Sequence, residues 1–204
     1  MNILHVSCSS RGQVSESTRL ASCIIERLLE DQPTGRVVTR AIGGASLPHV
    51  DGNYATSQQS TADVSGSGSA ALSEELIGEL ERADVVVIGT PMHNFSLPSV
   101  LKAWIDHVAR VRRTFNIAAQ GKSALLADRP VFIAISSGGR FSGERARQPD
   151  FLTPYLTAVL NMIGLRDLTF FTVEGTAMGP DTLAQARTLA TEALTRHFAS
   201  WRLA

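Results

Sequence analysis

Three short segments carry residue types that can hold a ligand as well as shape a turn. The first is Cys8-Ser9-Ser10-Arg11-Gly12-Gln13-Val14-Ser15-Glu16-Ser17-Thr18, which leads into a stretch of helical period. A helix N-terminus offers unpaired N–H groups and the positive end of its dipole, and so receives anions. Hydroxyls at Ser9, Ser15, Ser17 and Thr18 would complete a cage for a phosphate dianion without any lysine. The competing reading is that these residues only make turns and caps. Glu16 is awkward in such a cage, because a carboxylate repels a phosphate, so its side chain is expected to point to solvent. The second segment is Thr90-Pro91-Met92-His93-Asn94-Phe95-Ser96, and the third is Ser136-Ser137-Gly138-Gly139-Arg140-Phe141. Paired glycines let backbone approach a flat ligand closely. Each segment also has a plain structural role: Met92 and Phe95 as core plugs, His93 as a surface histidine, the glycines as a turn.

These segments need elements that bring them together. Five runs have strand composition: Ile3–Ser7, Arg36–Ala41, Asp84–Thr90, Val131–Ser136 and Leu168–Val173. Four are near-continuous in Val, Ile, Leu and Phe, as strands covered on both faces are. Helical periods lie between them. Leu97, Val100, Leu101, Trp104, Ile105 and Val108 form one stripe, with Ser96 expected as N-cap and Pro98 in the first turn. Leu20, Ile24 and Leu28 form another, as do Leu183, Ala186, Ala190, Leu194, His197, Phe198 and Trp201. Strand and helix alternate five times. That pattern predicts an α/β fold with a five-stranded parallel sheet, order 2-1-3-4-5, and helices on both faces. Ligands of such sheets bind beyond the carboxyl ends of the strands, near the reversal of strand order. All three segments follow strands at that end. Ala55–Ser69, rich in Ser, Thr, Gln and Gly, has no period and reads as a surface excursion before a helix near Ser69–Arg82.

Several function classes are excluded. Gly66-Ser67-Gly68-Ser69-Ala70-Ala71 matches a dinucleotide fingerprint but follows polar loop instead of a strand, and no G-x-x-x-x-G-K-[ST] occurs. Lys+Arg 19 balance Asp+Glu 19, so the basic footprint of a nucleic-acid binder is missing. No apolar run approaches the ~20 residues that cross a bilayer. The N-terminus, without a basic leader or a small-residue cleavage site, reads as that of a cytoplasmic protein. Cys8 and Cys23 have neither the spacing nor the His companions of a metal site, so no metal is expected and both read as reduced thiols. A phosphoacceptor domain of this sheet order needs acidic residues after strand one and an Asp ending strand three, where this chain has Cys8, Ser9 and Thr90.

Several separated motifs lie in one order along the chain: Ser9 with Ser15-Glu16-Ser17, Pro91-Met92-His93-Asn94-Phe95, Leu97-Pro98 with Leu101-Lys102 and Trp104-Ile105-Asp106, Thr114-Phe115, and Ser136-Ser137-Gly138-Gly139. With Leu152-Thr153-Pro154-Tyr155-Leu156, Ile163-Gly164-Leu165, Val173-Glu174-Gly175 and Gly179-Pro180, the chain resembles the FMN-dependent NADH-azoreductases and NAD(P)H quinone reductases of the flavodoxin-like fold. The resemblance implies a three-layer sandwich over residues 1–204 as one domain. It also implies FMN as cofactor, NADH or NADPH as co-substrate, and a quinone or azo compound as acceptor, with hydride passing through flavin N5 in a two-step cycle. By the same resemblance Ser9, Ser15, Glu16 and Ser17 hold the FMN phosphate. Pro91, Met92, His93, Asn94 and Phe95 lie beside the isoalloxazine, and Ser136, Ser137, Gly138 and Gly139 run along its other edge.

The family often has tyrosine, arginine, tyrosine and an aromatic residue where this chain has His93, Ser137, Ile117 and Met162, with its arginine displaced to Arg140. An acceptor site built this way has less aromatic stacking surface. The resemblance further implies a homodimer in which Phe115, Ile117 and Met162 line the partner's acceptor pocket, with core packing as their plain alternative. Arg140 is read either as balancing negative charge on the reduced flavin or as an ordinary solvent-facing arginine. With the hard chemistry borne by the cofactor, His93 is the candidate for a side chain that tunes it. The alternative of a non-enzymatic electron carrier is disfavoured by the balanced charge, since such carriers dock through acidic surfaces.

Overall fold

The computed structural model describes residues 1–44, 47–59 and 68–203. Five parallel strands, β1 (Asn2–Ser7), β2 (Arg36–Ala41), β3 (Val85–Pro91), β6 (Val131–Ser137) and β7 (Leu168–Glu174), form one sheet in the order β2-β1-β3-β6-β7. This is the expected order, and each strand lies within one residue of its predicted bounds. Numbering skips because Phe115–Ala118 (β4) and Gly121–Ala124 (β5) pair antiparallel as a separate hairpin. The sequence pattern had not shown that hairpin.

Alternation along the inner strands builds two cores. Leu4, Val6, Val86, Ile88, Ile133 and Ile135 face α3 (Gly68–Arg82), α4 (Ser99–Val108) and α5 (Thr153–Ile163), where Leu76, Leu80, Trp104, Leu156 and Leu160 are buried against them. Ile3, Val85, Val87, Phe132 and Ala134 face α1 (Glu16–Asp31) and α6 (Pro180–Ser200), which contribute Leu20, Ile24, Leu28, Leu194 and Phe198. A strand with both faces covered needs an unbroken apolar run, and β3 and β6 have one. The edge strand β2 is exposed along most of its length and is tied to α3 by ion pairs from Arg40 to Glu75 and Glu79.

Two local expectations are corrected. Ser96 does not cap α4: the helix begins at Ser99 and Pro98 is its N-cap, extended at φ −67°, ψ 152°. A residue preceding proline is pushed out of the helical region, so Leu97 cannot belong to a first turn. The segment Ala55–Ser69 is not wholly irregular either. Its start belongs to α2 (Gly52–Gln59), which the Tyr54 hydroxyl anchors by donating to the Asp106 carbonyl at 3.0 Å. Positions 60–67 lie outside the described residues, and the fingerprint match at Gly66-Ser67 with them. Among the described residues no helix is long and apolar enough to cross a membrane.

Candidate active site

Backbone hydrogen bonds gather the three ligand segments at the carboxyl edge of the sheet. Cys8 N–H donates to Gly89 O at 2.9 Å, joining the end of β1 to β3, and Met92 N–H donates to Ser136 O at 2.7 Å, joining β3 to β6. The amides of Gly175, Thr176 and Ala177 donate to the carbonyls of Gly139, Ser137 and Gly138, so the turn after β7 backs the third segment.

The first segment coils through a 3-10 turn at Gly12–Val14 before α1 starts at Glu16. Ser15 is the N-cap, yet its side chain makes no cap bond. Its hydroxyl instead meets that of Ser17 at 3.0 Å. Two hydroxyls sharing one hydrogen bond leave one proton to donate elsewhere. The helical ladder begins with Arg19 N–H on Ser15 O at 2.9 Å, so the amides of Glu16, Ser17 and Thr18 precede it. Ser9 Oγ accepts from Arg11 N–H at 3.2 Å and keeps its own proton to donate. Ser9, Ser15, Ser17 and Thr18 are all buried, and Thr18 Oγ1 has no hydrogen-bond partner among the described residues. Neutral donors, an uncapped helix start and an orphaned hydroxyl form a donor set that fits a phosphate. A cleft of about 520 Å³ reaches two of these residues, Ser9 and Thr18, together with Ser10, Gln13 and Gly43, but is not lined by Ser15 or Ser17.

Glu16 does not point to solvent as expected. Arg187 of α6 grips its carboxylate through two hydrogen bonds, Nε to Oε2 at 2.9 Å and Nη2 to Oε1 at 2.5 Å. The guanidinium holds the Glu16 carboxyl below the usual range, and the carboxylate in turn raises Arg187. Cys8, which opens this segment, is buried, and burial pushes its thiol up, which makes it a poor nucleophile.

The second segment closes as a tight hairpin. His93 and Ser96 exchange both backbone hydrogen bonds at 2.9 Å, with Asn94 and Phe95 between them at φ 48° and 69°. Asparagine tolerates the left-handed region, whereas a bulky phenylalanine there stores strain of about 1–3 kcal/mol. Met92 is buried, as a core plug would be. Phe95 is 44% exposed, which corrects its role as one, and His93 and Asn94 are exposed beside it.

In the third segment Ser136 and Ser137 are buried ends of β6. Gln148 Nε2 donates to Ser137 Oγ at 3.0 Å and lies 3.2 Å from Met92 Sδ, coupling the second and third segments. The same side chain lies close over Gly139, where a Cβ would come within 2.2 Å of Gln148 Oε1 and push the end of that glutamine aside. Glu174 accepts from the amides of Phe141 and Ser142 and so fixes the chain just beyond Arg140, which is half-buried.

Phe115, Ile117 and Met162 converge on Lys122 of the unexpected hairpin. Its ammonium stands 5.0 Å from the Phe115 ring centre and 3.4 Å from Met162 Sδ, and it is the register partner of Ile117. Phe115 is buried in the core, Met162 is half-buried and Ile117 is 73% exposed. Arg187, Gln148 and Lys122 had not been singled out from the sequence, since each acts across the fold and none belongs to a local motif; Glu174 stood in the Val173-Glu174-Gly175 motif, but its hold on Phe141 and Ser142 is visible only in the fold.

A family model described as flavodoxin-like fold matches residues 1–198. The chain is 46% identical over 190 residues to an FMN-dependent NADH:quinone oxidoreductase 4 of Pseudomonas fluorescens, covering 91% of this chain and 92% of that protein. It is 45% identical to an FMN-dependent NADH:quinone oxidoreductase 5 of Burkholderia lata, covering 90% and 88% respectively. Among solved structures, an azoreductase of Bacillus anthracis superposes with TM-score 0.84 at 21% identity, covering 98% of this chain and all of that one. An FMN-dependent NADH-azoreductase of the same species, in complex with FMN, gives TM-score 0.78 at 21% identity over 97% of this chain and 100% of that one. The chain belongs to the flavodoxin-like fold family.

Proposed function

We propose that residues 1–204 act as one FMN-binding domain that oxidises NADH or NADPH and reduces quinones, azo compounds or both. The observation that carries this is the uncapped start of α1 ringed by the Ser9, Ser15 and Ser17 hydroxyls, beside two loops joined by the Met92–Ser136 bond. The NADH:quinone oxidoreductase activity of relatives 45–46% identical over nine-tenths of the chain supports it.

In this reading the amides of Glu16, Ser17 and Thr18 and the hydroxyls of Ser9, Ser15 and Ser17 bind the phosphate. Pro91, Met92, His93, Asn94 and Phe95 support one side of the flavin ring, chiefly through backbone. Ser136, Ser137, Gly138 and Gly139 border the other edge. When bound, FMN supplies two-electron hydride chemistry between the nicotinamide and the acceptor. The protein's part is placement and exclusion of water. Arg140, Phe115, Ile117 and Met162 line the acceptor side. We place the chain in the cytoplasm, where Cys8 and Cys23 stay free, as they are here. A homodimer completes the site, with exposed Phe95, Ile117 and Phe151 as apolar surface for a second copy.

Titration of FMN into the purified chain tests the phosphate assignment. Replacing Ser15 and Ser17 together by Ala is expected to weaken binding by about 1–3 kcal/mol per lost contact. Unchanged affinity would put the phosphate elsewhere. Sedimentation is expected to show a dimer of the 21.9 kDa chain; a monomer with full reductase activity would refute the shared site.

A further inference from the structure

Glu16 is the first residue of α1, set between the two serines of the phosphate cage. A carboxylate at a helix start would itself take the free amides and repel an incoming dianion. Its side chain is only 15% exposed, so water screens that repulsion poorly. Yet the carboxylate is turned toward α6, where the planar fork of Arg187, 171 residues away in sequence, engages both oxygens. The pairing offsets one negative charge beside the cage and holds both carboxylate oxygens on α6, away from the α1 amides.

We propose that Arg187 is a positioning residue for the cofactor phosphate: by drawing the Glu16 carboxylate onto α6 it frees the N-terminus of α1 for a dianion. This rests on the phosphate docking at the first segment, as proposed above. It makes the C-terminal helix part of the cofactor-binding apparatus without touching the cofactor. It also makes the effect specific to the phosphate, since a flavin lacking that group has nothing to be repelled.

The test is a set of binding constants for FMN and for riboflavin, read by flavin fluorescence on the full chain. Arg187→Met, which strands the carboxylate, should weaken FMN about tenfold or more and riboflavin less than about twofold. Glu16→Gln should bind FMN at least as tightly as the native chain, and Glu16→Gln/Arg187→Met should recover native affinity to within about twofold. A purely structural role for the pair would weaken both flavins alike and would leave the double variant as weak as Arg187→Met. That pattern overturns the proposal, as does native FMN affinity in Arg187→Met. Should Arg187→Met fail to fold, weaker FMN binding by Glu16→Gln overturns it by itself. Ser15→Ala/Ser17→Ala separates the two claims. If that variant loses FMN while Arg187→Met does not, only the role of Arg187 fails; if it keeps FMN, the docking site and the role of Arg187 fail together.

Discussion

The backbone N–H of Phe151 donates to the carbonyl of Phe95 at 2.9 Å, and this bond helps hold an exposed phenyl ring on a backbone at φ 69°. Burial does not compensate such a conformation at a residue 44% exposed. Strain kept at an exposed aromatic in the loop proposed to flank the flavin points to a role in contact with ligand.

Phe95→Asn is therefore expected to stabilise the chain by up to about 1 kcal/mol, because asparagine accepts the left-handed region. It is also expected to lower kcat/KM for quinones several-fold. Chemical denaturation and steady-state kinetics on the same preparation check both. A loss of stability with unchanged kinetics would make Phe95 a packing residue.

Acid should act partly through Glu16. The hydrogen bonds from Arg187 hold its folded-state carboxyl below the ordinary value of 4.5, which the unfolded chain retains. The contribution to stability is thus complete above that value and is lost as pH falls through the folded one. Urea unfolding at pH 7 and about pH 3.5 should show a smaller pH difference for Glu16→Gln than for the native chain. Glu81, held down in the same way by Arg113, supplies part of the remainder in both. Equal pH differences would mean that the Glu16 pair contributes nothing in solution.

Gly164 ends α5 at φ 115°, with its amide on the carbonyls of Leu160 and Asn161. A Cβ there would lie 2.3 Å from the Leu126 carbonyl oxygen, a backbone atom with little room to move. Gly164→Ala should cost about 1–3 kcal/mol, seen as a lower denaturation midpoint. A neutral effect would show that the loop carrying Leu126 shifts freely.

The inner strands could be read from sequence because a doubly covered strand needs an unbroken apolar run, and Val85–Ile88 and Val131–Ile135 supply one. The stripe Leu101, Trp104, Ile105 and Val108 declared α4 in the same way, while its start was misplaced because the constraint from Pro98 outweighs a serine's capping tendency. Phe115–Ala118 and Gly121–Ala124 are too short and too mixed to announce a hairpin. The three ligand segments were visible because each follows a strand. What they contact was not, since Arg187 meets Glu16 and Gln148 meets Ser137 only after the chain has folded. Nor does composition foretell a phenylalanine at positive φ, which the turn between His93 and Ser96 imposes.

The most direct measurement is steady-state oxidation of NADH by the FMN-loaded chain with a quinone acceptor, alongside the flavin content of the same sample. The account predicts a yellow protein with about one FMN per chain and sustained turnover over many equivalents of quinone. A chain that takes up no FMN, or that binds it and fails to turn over, would contradict it.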